Sequence, residues 1–573
     1  MRSSFHEPIV IENARVSAVE GSLYSEFYGD IYFSRFGGVE ESKHVFLHGN
    51  RLPERFEQVG VFCVGELGFG TGLNFILTMR EFCGDWLWYL AYELNPLTRA
   101  DLHRFLVAQL GESKEIDLLC ARYPHAIEGL HLIHFKEYRS SLQLFLGDAL
   151  SKLRETTARV DAWYLDGFSP ERNPALWSAE VLREVTRLSR PGATLGTYSV
   201  SASVRERLSA LGWELAKVKG VGRKREVLTG RLPGADGDRG VPQRVAVVGG
   251  GIAGASVAQS LSRRGISVTL FERNKTLFSE ASGNRRGIVF PYLSAERDRR
   301  HRFYLAAFQF LNRSFVGDAE GALYLPFRER QEKFLVRVAE FHFPPEFLQI
   351  ASPAEAQELA GVVLPGNGGL FFPEGRSYSF KEHFSLEQAD VQVRAEAEFS
   401  GDFDAIVLCT GGGGLSSLPA ELRQLFTPVM GEVAAFEATP ASRGLKRILC
   451  GDGYITPDTG SGHLCGATYH RGVSQSVVSP QAESSLSEIA GRLLPVGALV
   501  PGSIRAGVRA TTPDRLPVIG HFRDNIYLSL GHGSRGGVSA PLVAEQVAAE
   551  ICGEPYPIER TVLDGLRVGR FGL

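Results

Sequence analysis

The chain has little cysteine for its length, and spacing pairs none of it. Its seven cysteines in 573 residues (Cys63, Cys83, Cys120, Cys409, Cys450, Cys465, Cys552) are scattered, with no C-x-x-C pair. Several sit inside apolar runs, as in Val61-Phe-Cys-Val64 and Val407-Leu-Cys409, so reduced, buried thiols and no metal site are expected. No apolar stretch approaches membrane-spanning length, and Met1 to Pro8 carries no apolar segment of signal-peptide type. The expectation is therefore a cytoplasmic protein without a membrane partner. Strong net charge is missing too, and a value of −3 does not advertise nucleic-acid binding. Basic residues nevertheless cluster locally: Arg223 to Arg225, Arg285-Arg286, Arg297 with Arg299, Arg300 and Arg302, and Arg328 with Arg330. Most such runs are solvated faces, but phosphate attraction is local, so charge leaves an RNA partner open.

What is present is 44% hydrophobic residues and two glycine-rich loops, each at the end of a strand-like run. The length exceeds one ordinary core, so two to four domains are expected. The first loop is Gly65-Glu-Leu-Gly-Phe-Gly-Thr-Gly72, and the second opens at Gly249-Gly-Gly-Ile-Ala-Gly254. Between them Gly230 to Pro242 is polar and rich in glycine and proline, and reads as a linker. We divide the chain into a first domain at 1–235, a linker at 236–243 and a second domain at 244–573.

In the first domain, strand-like and helix-like segments alternate. Val61 to Leu67, Trp86 to Leu94, Leu142 to Leu146, Asp161 to Leu165 and Thr194 to Tyr198 read as strands. Leu73 to Cys83, Leu97 to Leu110, Leu176 to Leu188 and Ser203 to Leu211 read as helices, Pro191-Gly192 as a break, and a final strand pair is centred on Leu215 and Val227. Such alternation implies a mainly parallel sheet covered on both faces, with ligands beyond the carboxyl ends of its strands. Gly68, Gly70 and Gly72 let the backbone approach a cofactor, and the loop has no lysine to hold a triphosphate, which argues against a P-loop. Glu93 ends the second strand, where a carboxylate accepts ribose hydroxyls, and Asp148 ends a later one, where it can accept an adenine amino group. Loop, Glu93 and Asp148 in this order resemble the class I methyltransferases that use S-adenosylmethionine, and Glu66 in the loop counts with the cofactor residues. A dinucleotide-binding unit shares the loop and the acid, but Gly147-Asp148 and the closing strand pair suit the methyltransferase better. Asp166 in Asp166-Gly-Phe-Ser-Pro170 is the candidate base, placed to take a proton from an amine nucleophile, with Phe168 able to stack on a flat base. The competing role for Asp166 is a helix or turn cap. Trp163 and Trp177 are expected in the core.

The second domain opens with strand, G-x-G-x-x-G through Gly249, Gly251 and Gly254, helix, strand and Glu272. This is a complete dinucleotide fingerprint, with phosphates at the helix N-terminus and ribose on the acid. Three further stretches point to FAD: Ala281-Ser-Gly-Asn-Arg-Arg-Gly287, Asp404 to Gly411 ending in Thr-Gly, and Arg509 to Gly520 followed by Ile526 to Gly537. Together they resemble the glycine oxidase, sarcosine oxidase and D-amino-acid oxidase group. That resemblance implies Ser282, Gly283, Asn284, Gly287, Gly411, Gly533, Ser534, Arg535 and Gly536 at the cofactor. It also implies Arg509 on the substrate carboxylate, a natural use of a guanidinium fork. The competing role for Arg509 is a surface ion pair. The expected fold is thus α/β throughout: a class I methyltransferase (Rossmann-like) domain, then an FAD-binding Rossmann domain with an α+β substrate-binding insertion.

The combination resembles the bacterial family of bifunctional tRNA 5-methylaminomethyl-2-thiouridine biosynthesis proteins. The likeness includes Asp30-Ile-Tyr-Phe-Ser34, Val45 to Leu52, Gly65 to Asn74, Tyr164 to Phe168, Ala281 to Asn284 and Arg509 to Gly520. It implies two steps on the wobble uridine of tRNA: FAD-dependent removal of a carboxymethyl group, then methylation of the freed amine from S-adenosylmethionine. It also implies a tRNA anticodon arm as partner and a monomeric protein. Two alternatives stay open: a bifunctional amine oxidase and N-methyltransferase of free small amino acids, and a non-catalytic flavoprotein or RNA-binding scaffold.

Overall fold

The computed structural model of the chain describes residues 9–573 apart from 20–21, 33–36, 58–59, 221–225, 236, 238–239, 316–318, 385, 387–390, 396–398, 400, 459 and 498. The basic run at Arg223 to Arg225 and the end of the Asp30 to Ser34 motif lie outside the described residues. The chain divides into two compact units, Met1–Arg239 with Glu554–Arg560, and Gly240–Gly553 with Thr561–Leu573.

The first unit is built on an eight-stranded sheet. Its order is Glu214–Lys219, Glu226–Arg231, Ser189–Thr197, Val160–Leu165, Val61–Leu67, Trp86–Glu93, Ser140–Leu146, Gly129–Phe135. The five central strands run parallel, and both flanks are antiparallel. The parallel strands are covered on both faces: Phe62, Val64, Leu87, Tyr89, Leu144 and Ala162 enter one apolar core, and the alternate Cys63, Trp88, Phe145 and Trp163 are buried as well. The chain leaves Val61–Leu67 first to one side and later to the other, so the sheet's switch point lies at the end of that strand.

Three expectations are corrected here. The strand Ser189–Thr197 runs through Pro191 and Gly192, with a register shift against Val160–Leu165. A bulge accommodates the proline, which has no N–H to give a ladder. The helix expected from Leu176 begins at Ala179, because Ser178 caps it by accepting from the Val181 N–H. Gly230 and Arg231 belong to a strand, paired with Leu195 and Thr194, rather than to the linker.

The segment Glu554–Arg560 returns to the first unit from the far end of the chain, a return that the boundary at 236–243 does not anticipate. The Tyr556 N–H donates to Thr157 O (2.9 Å) and Gln143 Nε2 donates to Pro555 O (3.2 Å). Lys152, 1% exposed, pairs with Glu559 (3.1 Å) and with Glu128. A small antiparallel sheet, Val16–Val19, Ser22–Ser25 and Asp30–Ile31, precedes the main one.

The second unit holds a six-stranded sheet in the order Val391–Ala395, Ser267–Glu272, Arg244–Val248, Ala405–Leu408, Ile526–Leu530, Val518–Arg523. All its pairings are parallel except the last. Helices Ile252–Ser262 and Gly536–Cys552 are almost wholly buried. Between Ser267–Glu272 and Val518–Arg523 the chain also builds a nine-stranded sheet, whose long arm pairs Thr427–Phe436 with Pro501–Thr511. Of the seven cysteines only Cys83 is exposed. No helix among the described residues is long and apolar enough to cross a membrane.

Candidate active sites

In the first unit a cavity of about 460 Å³ opens beyond the carboxyl ends of the parallel strands. Gly68, Gly70, Glu93, Asp148, Asp166 and Phe168 all line it, from the glycine loop or from the carboxyl ends of three further strands. Glu93 accepts from the Gly70 N–H (2.9 Å) and from the Asn95 N–H (2.9 Å). Leu94 and Phe69 also turn backbone N–H groups toward this carboxylate, so the glycine loop and the strand end hold it rigidly at the cavity wall. Burial pushes the Glu93 carboxyl up, and these backbone donors oppose the rise. Asp148 is both a helix cap, accepting from the Ser151 N–H (2.9 Å), and part of the cavity wall.

Asp166 is not a helix cap: it follows its strand directly, and the next helix begins at Ala179. It accepts from Asn74 Nδ2 (2.7 Å), which also donates to Glu66 Oε1 (2.8 Å). Glu66 is fully buried and does not line the cavity; it lies behind Asp166, linked to it through Asn74. Burial first, and the neighbouring Asp166 second, raise the Glu66 carboxyl well above the ordinary range. Gly68 has a specific reason to be glycine. Its φ is +87°, and a Cβ there would lie 2.6 Å from the Asp166 carbonyl oxygen. The glycine loop can therefore press against the loop that carries Asp166. Gly72 is not on the cavity wall; it opens the following helix at φ +73°.

The wall of this cavity is more aromatic than Phe168 alone suggests. Tyr28 stacks on Phe168 (centroids 4.6 Å, 26°) and Tyr32 meets it edge-on (5.1 Å, 73°). Trp163 is core, as expected, whereas Trp177 is buried yet lines the cavity and donates to Phe168 O (2.8 Å). Tyr28, Tyr32, Tyr198 and Asn74 were not singled out from the sequence. Asn74 and Tyr32 are the two with a legible signal, because Asn74 ends the Gly65 to Asn74 motif and Tyr32 lies within Asp30 to Ser34.

The groups at this cavity fit S-adenosylmethionine: the Glu93 carboxylate on the wall, Asp148 beside it at a strand end, and a close-packed glycine loop without a lysine.

In the second unit, Gly249 enters the fingerprint turn at φ +113°. A Cβ on Gly254 would lie 1.8 Å from the Gly249 carbonyl oxygen, so only glycine closes the turn onto helix Ile252–Ser262. Glu272 accepts from the Gly250 N–H (2.7 Å) and from Asn274 through both its N–H (2.8 Å) and Nδ2 (2.7 Å). Ser282 Oγ accepts from the Ile252 N–H (3.0 Å), and a Cβ on Gly251 would approach that same hydroxyl. Asn284 accepts from Arg505 Nη1 (3.0 Å), and Gly283 packs beneath the same guanidinium. Arg505 thus ties Ala281–Gly283 to the strand that also carries Arg509, a tie the sequence did not reveal. Gly411 faces open space, and the neighbouring Thr410 hydroxyl is buried without a hydrogen-bond partner. Gly287 instead meets the Phe380 ring, so packing accounts for it. These groups fit a dinucleotide cofactor such as FAD.

Gly533, Ser534 and Arg535 form one short helical turn leading into the buried helix that starts at Gly536. Arg535 is caged by Phe290, Tyr292 and Tyr304 at 5.0–5.7 Å, and burial pulls its guanidinium down. His532 sits between the Ser529 and Ser539 hydroxyls (3.1 and 2.8 Å), and burial lowers its imidazole to about 4. Arg509 is no surface ion pair. Its Nη1 is buried without a hydrogen-bond partner, and its guanidinium lies 5.1 Å from the centre of the Tyr469 ring. A Cβ on Gly431 would come within 2.4 Å of Nη1, so that glycine leaves the room the guanidinium occupies. Some members of the basic clusters are engaged within the unit: Arg286 is held by Ser377 and Glu320 and Arg300 by Tyr292, while Arg328 pairs with Asp452 and stays largely exposed.

Comparison with known proteins places each unit. Residues 111–233 match the family described as S-adenosyl-L-methionine-dependent methyltransferase, and residues 244–381 and 380–550 match that described as FAD dependent oxidoreductase. The chain is 34% identical over 637 aligned residues to the tRNA 5-methylaminomethyl-2-thiouridine biosynthesis bifunctional protein of Pseudomonas aeruginosa, covering 96% of each. The protein of the same name from Nitrosospira multiformis is 36% identical over 600 residues, covering 95% of this chain and 96% of that one. Among solved structures, glycine oxidase from Geobacillus kaustophilus is similar with a TM-score of 0.46 and 23% identity, covering 57% of this chain and 99% of that one.

Proposed function

The chain belongs to the family of bifunctional tRNA 5-methylaminomethyl-2-thiouridine biosynthesis proteins, and we propose that it performs two consecutive steps on the wobble uridine of tRNA. The second unit removes the carboxymethyl group from 5-carboxymethylaminomethyl-(2-thio)uridine, leaving the 5-aminomethyl form. The first unit then methylates that amine to give 5-methylaminomethyl-(2-thio)uridine. The order is chemical: the nitrogen becomes a primary amine only after the carboxymethyl group has gone. Since tRNA is the substrate, the reaction belongs in the cytoplasm.

When bound, FAD supplies a two-electron acceptor for the C–H bond beside the nitrogen, and S-adenosylmethionine an electrophilic methyl group. Arg509 binds the substrate carboxylate, and because the guanidinium is planar it also fixes the direction of the adjacent C–H bond. The carbon–nitrogen double bond left by oxidation takes up water and separates into the primary amine and glyoxylate. In the first unit Asp166 takes the proton that the amine must lose before its lone pair can attack. Asn74 holds one oxygen of that carboxylate in place (2.7 Å). Phe168, Tyr28 and Tyr32 supply flat surface for a base splayed out of the anticodon loop.

The observation that carries this reading is the Asp166 carboxylate on the same cavity wall as Glu93 and Asp148. The test is nucleoside mass analysis of undermodified tRNA incubated with the protein, with and without S-adenosylmethionine. Loss of carboxymethyl without the donor, and methylaminomethyl product with it, is expected. An unchanged nucleoside profile from a protein that oxidises free amino acids would overturn the tRNA assignment.

A further inference from the structure

Tyr469 is an anomaly of the second unit. It is a large ring 64% exposed, well above Phe27 or Phe399 at 41% each, and Val473, Val477 and Val478 extend the exposed apolar stretch beside it in sequence. Single exposed apolar residues need no explanation, but this ring touches the charge that the proposed oxidation depends on. The Arg509 guanidinium engages one face at 5.1 Å, while Arg509 Nη1 lies buried without an acceptor. A buried cationic donor without a partner calls for an anion. A free amino acid would satisfy Arg509 and still leave the far side of the Tyr469 ring in water.

We propose that Tyr469 is the platform on which the base of the wobble uridine lies while its carboxymethyl arm reaches Arg509. This rests on the tRNA reading above and adds a base subsite to it. The distances are compatible. A base offset-stacked on the far face, about 3.5–4 Å away, places its C5 at the ring edge and roughly 9 Å from the Arg509 guanidinium carbon, which lies 5.1 Å from the ring centre on the other side. An extended arm advances about 1.25 Å per bond, so its four bonds span roughly 5 Å, and a C–O bond, a charge-assisted hydrogen bond of about 2.8 Å and a guanidinium C–N bond bring the reach to roughly 9–10 Å. The arm passes the ring edge and the base stays outside. Every base offers a π-face, so stacking supplies affinity, and the carboxylate supplies register. The subsite therefore selects an amino acid attached to a flat ring over free glycine.

The test uses the full chain with FAD bound. Binding of a fluorescent anticodon stem-loop carrying 5-carboxymethylaminomethyluridine is followed by anisotropy, and glycolate serves as a small carboxylate probe of Arg509. Loss of the stacking surface in Tyr469→Ala and Tyr469→Leu weakens the stem-loop by about 10-fold. Tyr469→Phe keeps wild-type affinity, and glycolate binds all four proteins alike. In turnover the Ala variant raises KM for tRNA and leaves kcat within about 2-fold, as expected for loss of a contact that binds substrate and transition state equally. Unchanged stem-loop affinity in the Ala and Leu variants would overturn the subsite. So would an equal loss for glycolate, which would make Tyr469 a support for Arg509. A wild-type protein that leaves tRNA unmodified is a different result, and refutes the tRNA reading itself.

Discussion

Acidification should weaken the second unit through His532, and the size of the effect follows from its surroundings. The ring lies between the hydroxyls of Ser529 and Ser539, both buried, at the entry to the Gly533–Arg535 turn. Burial lowers its imidazole from the ordinary 6.5 to about 4. In the folded protein the ring therefore stays neutral where the unfolded chain already binds a proton. The unfolded state binds more protons between these two values, so stability falls as pH falls. The penalty starts near 6.5, grows to about 4 and is constant below. At 1.36 kcal/mol per unit it reaches at most about 3 kcal/mol, and at pH 5 it amounts to about 2 kcal/mol. The assay is urea unfolding followed by release of flavin fluorescence at pH 7.5 and pH 5. His532→Gln cannot titrate, so its loss between the two pH values should be about 2 kcal/mol smaller than that of the wild type. His301, also buried and lowered to about 4, remains in both proteins and cancels from the comparison. Equal pH dependence in the two proteins would refute the reasoning, whatever the absolute stability of the variant.

Three further outcomes are expected. Gly254→Ala forces a Cβ within 1.8 Å of the Gly249 carbonyl, so the protein should purify without yellow colour and without oxidase activity. Methylation of tRNA already bearing the free amine should continue at the wild-type rate. Asn74→Leu removes the donor shared by Asp166 and Glu66; with about 1.5–3 kcal/mol in a hydrogen bond to a charged group, methyl transfer should slow about 10- to 100-fold. Calorimetry should find S-adenosylmethionine affinity preserved, and a parallel loss of both would count against a role centred on Asp166. Lys152→Met strands Glu128 and Glu559 without their buried cation, and should lower the stability of the first unit by about 3–5 kcal/mol. Glu559→Gln, which leaves Glu128 in place, should cost less. Thermal unfolding read by loss of S-adenosylmethionine binding distinguishes the two.

The parts of this protein that could be read from the chain are those whose causes are local. A buried parallel strand is a continuous apolar run, so Val61–Leu67, Trp86–Glu93 and Val160–Leu165 stood out, and with them the strand-end acids Glu93, Asp148 and Asp166. Glycine where a turn must close leaves an equally local mark at Gly249, Gly251 and Gly254. Tertiary structure decided what depends on partners distant in sequence. The strand Gly129–Phe135 takes its place from antiparallel pairing with Ser140–Leu146 at the sheet edge. Tyr28 reaches Phe168 across 140 positions. Glu66 looked like a loop residue facing a ligand, and only the packed structure turned it inward behind Asn74. Arg509 shows the division most clearly: its motif marked the residue, but the buried, unpaired Nη1 and the neighbouring Tyr469 exist only once two long strands and a distant loop have met. Pattern along a chain records which face of an element is apolar, whereas a site is made of side chains from several elements, and their meeting is a property of the packed core.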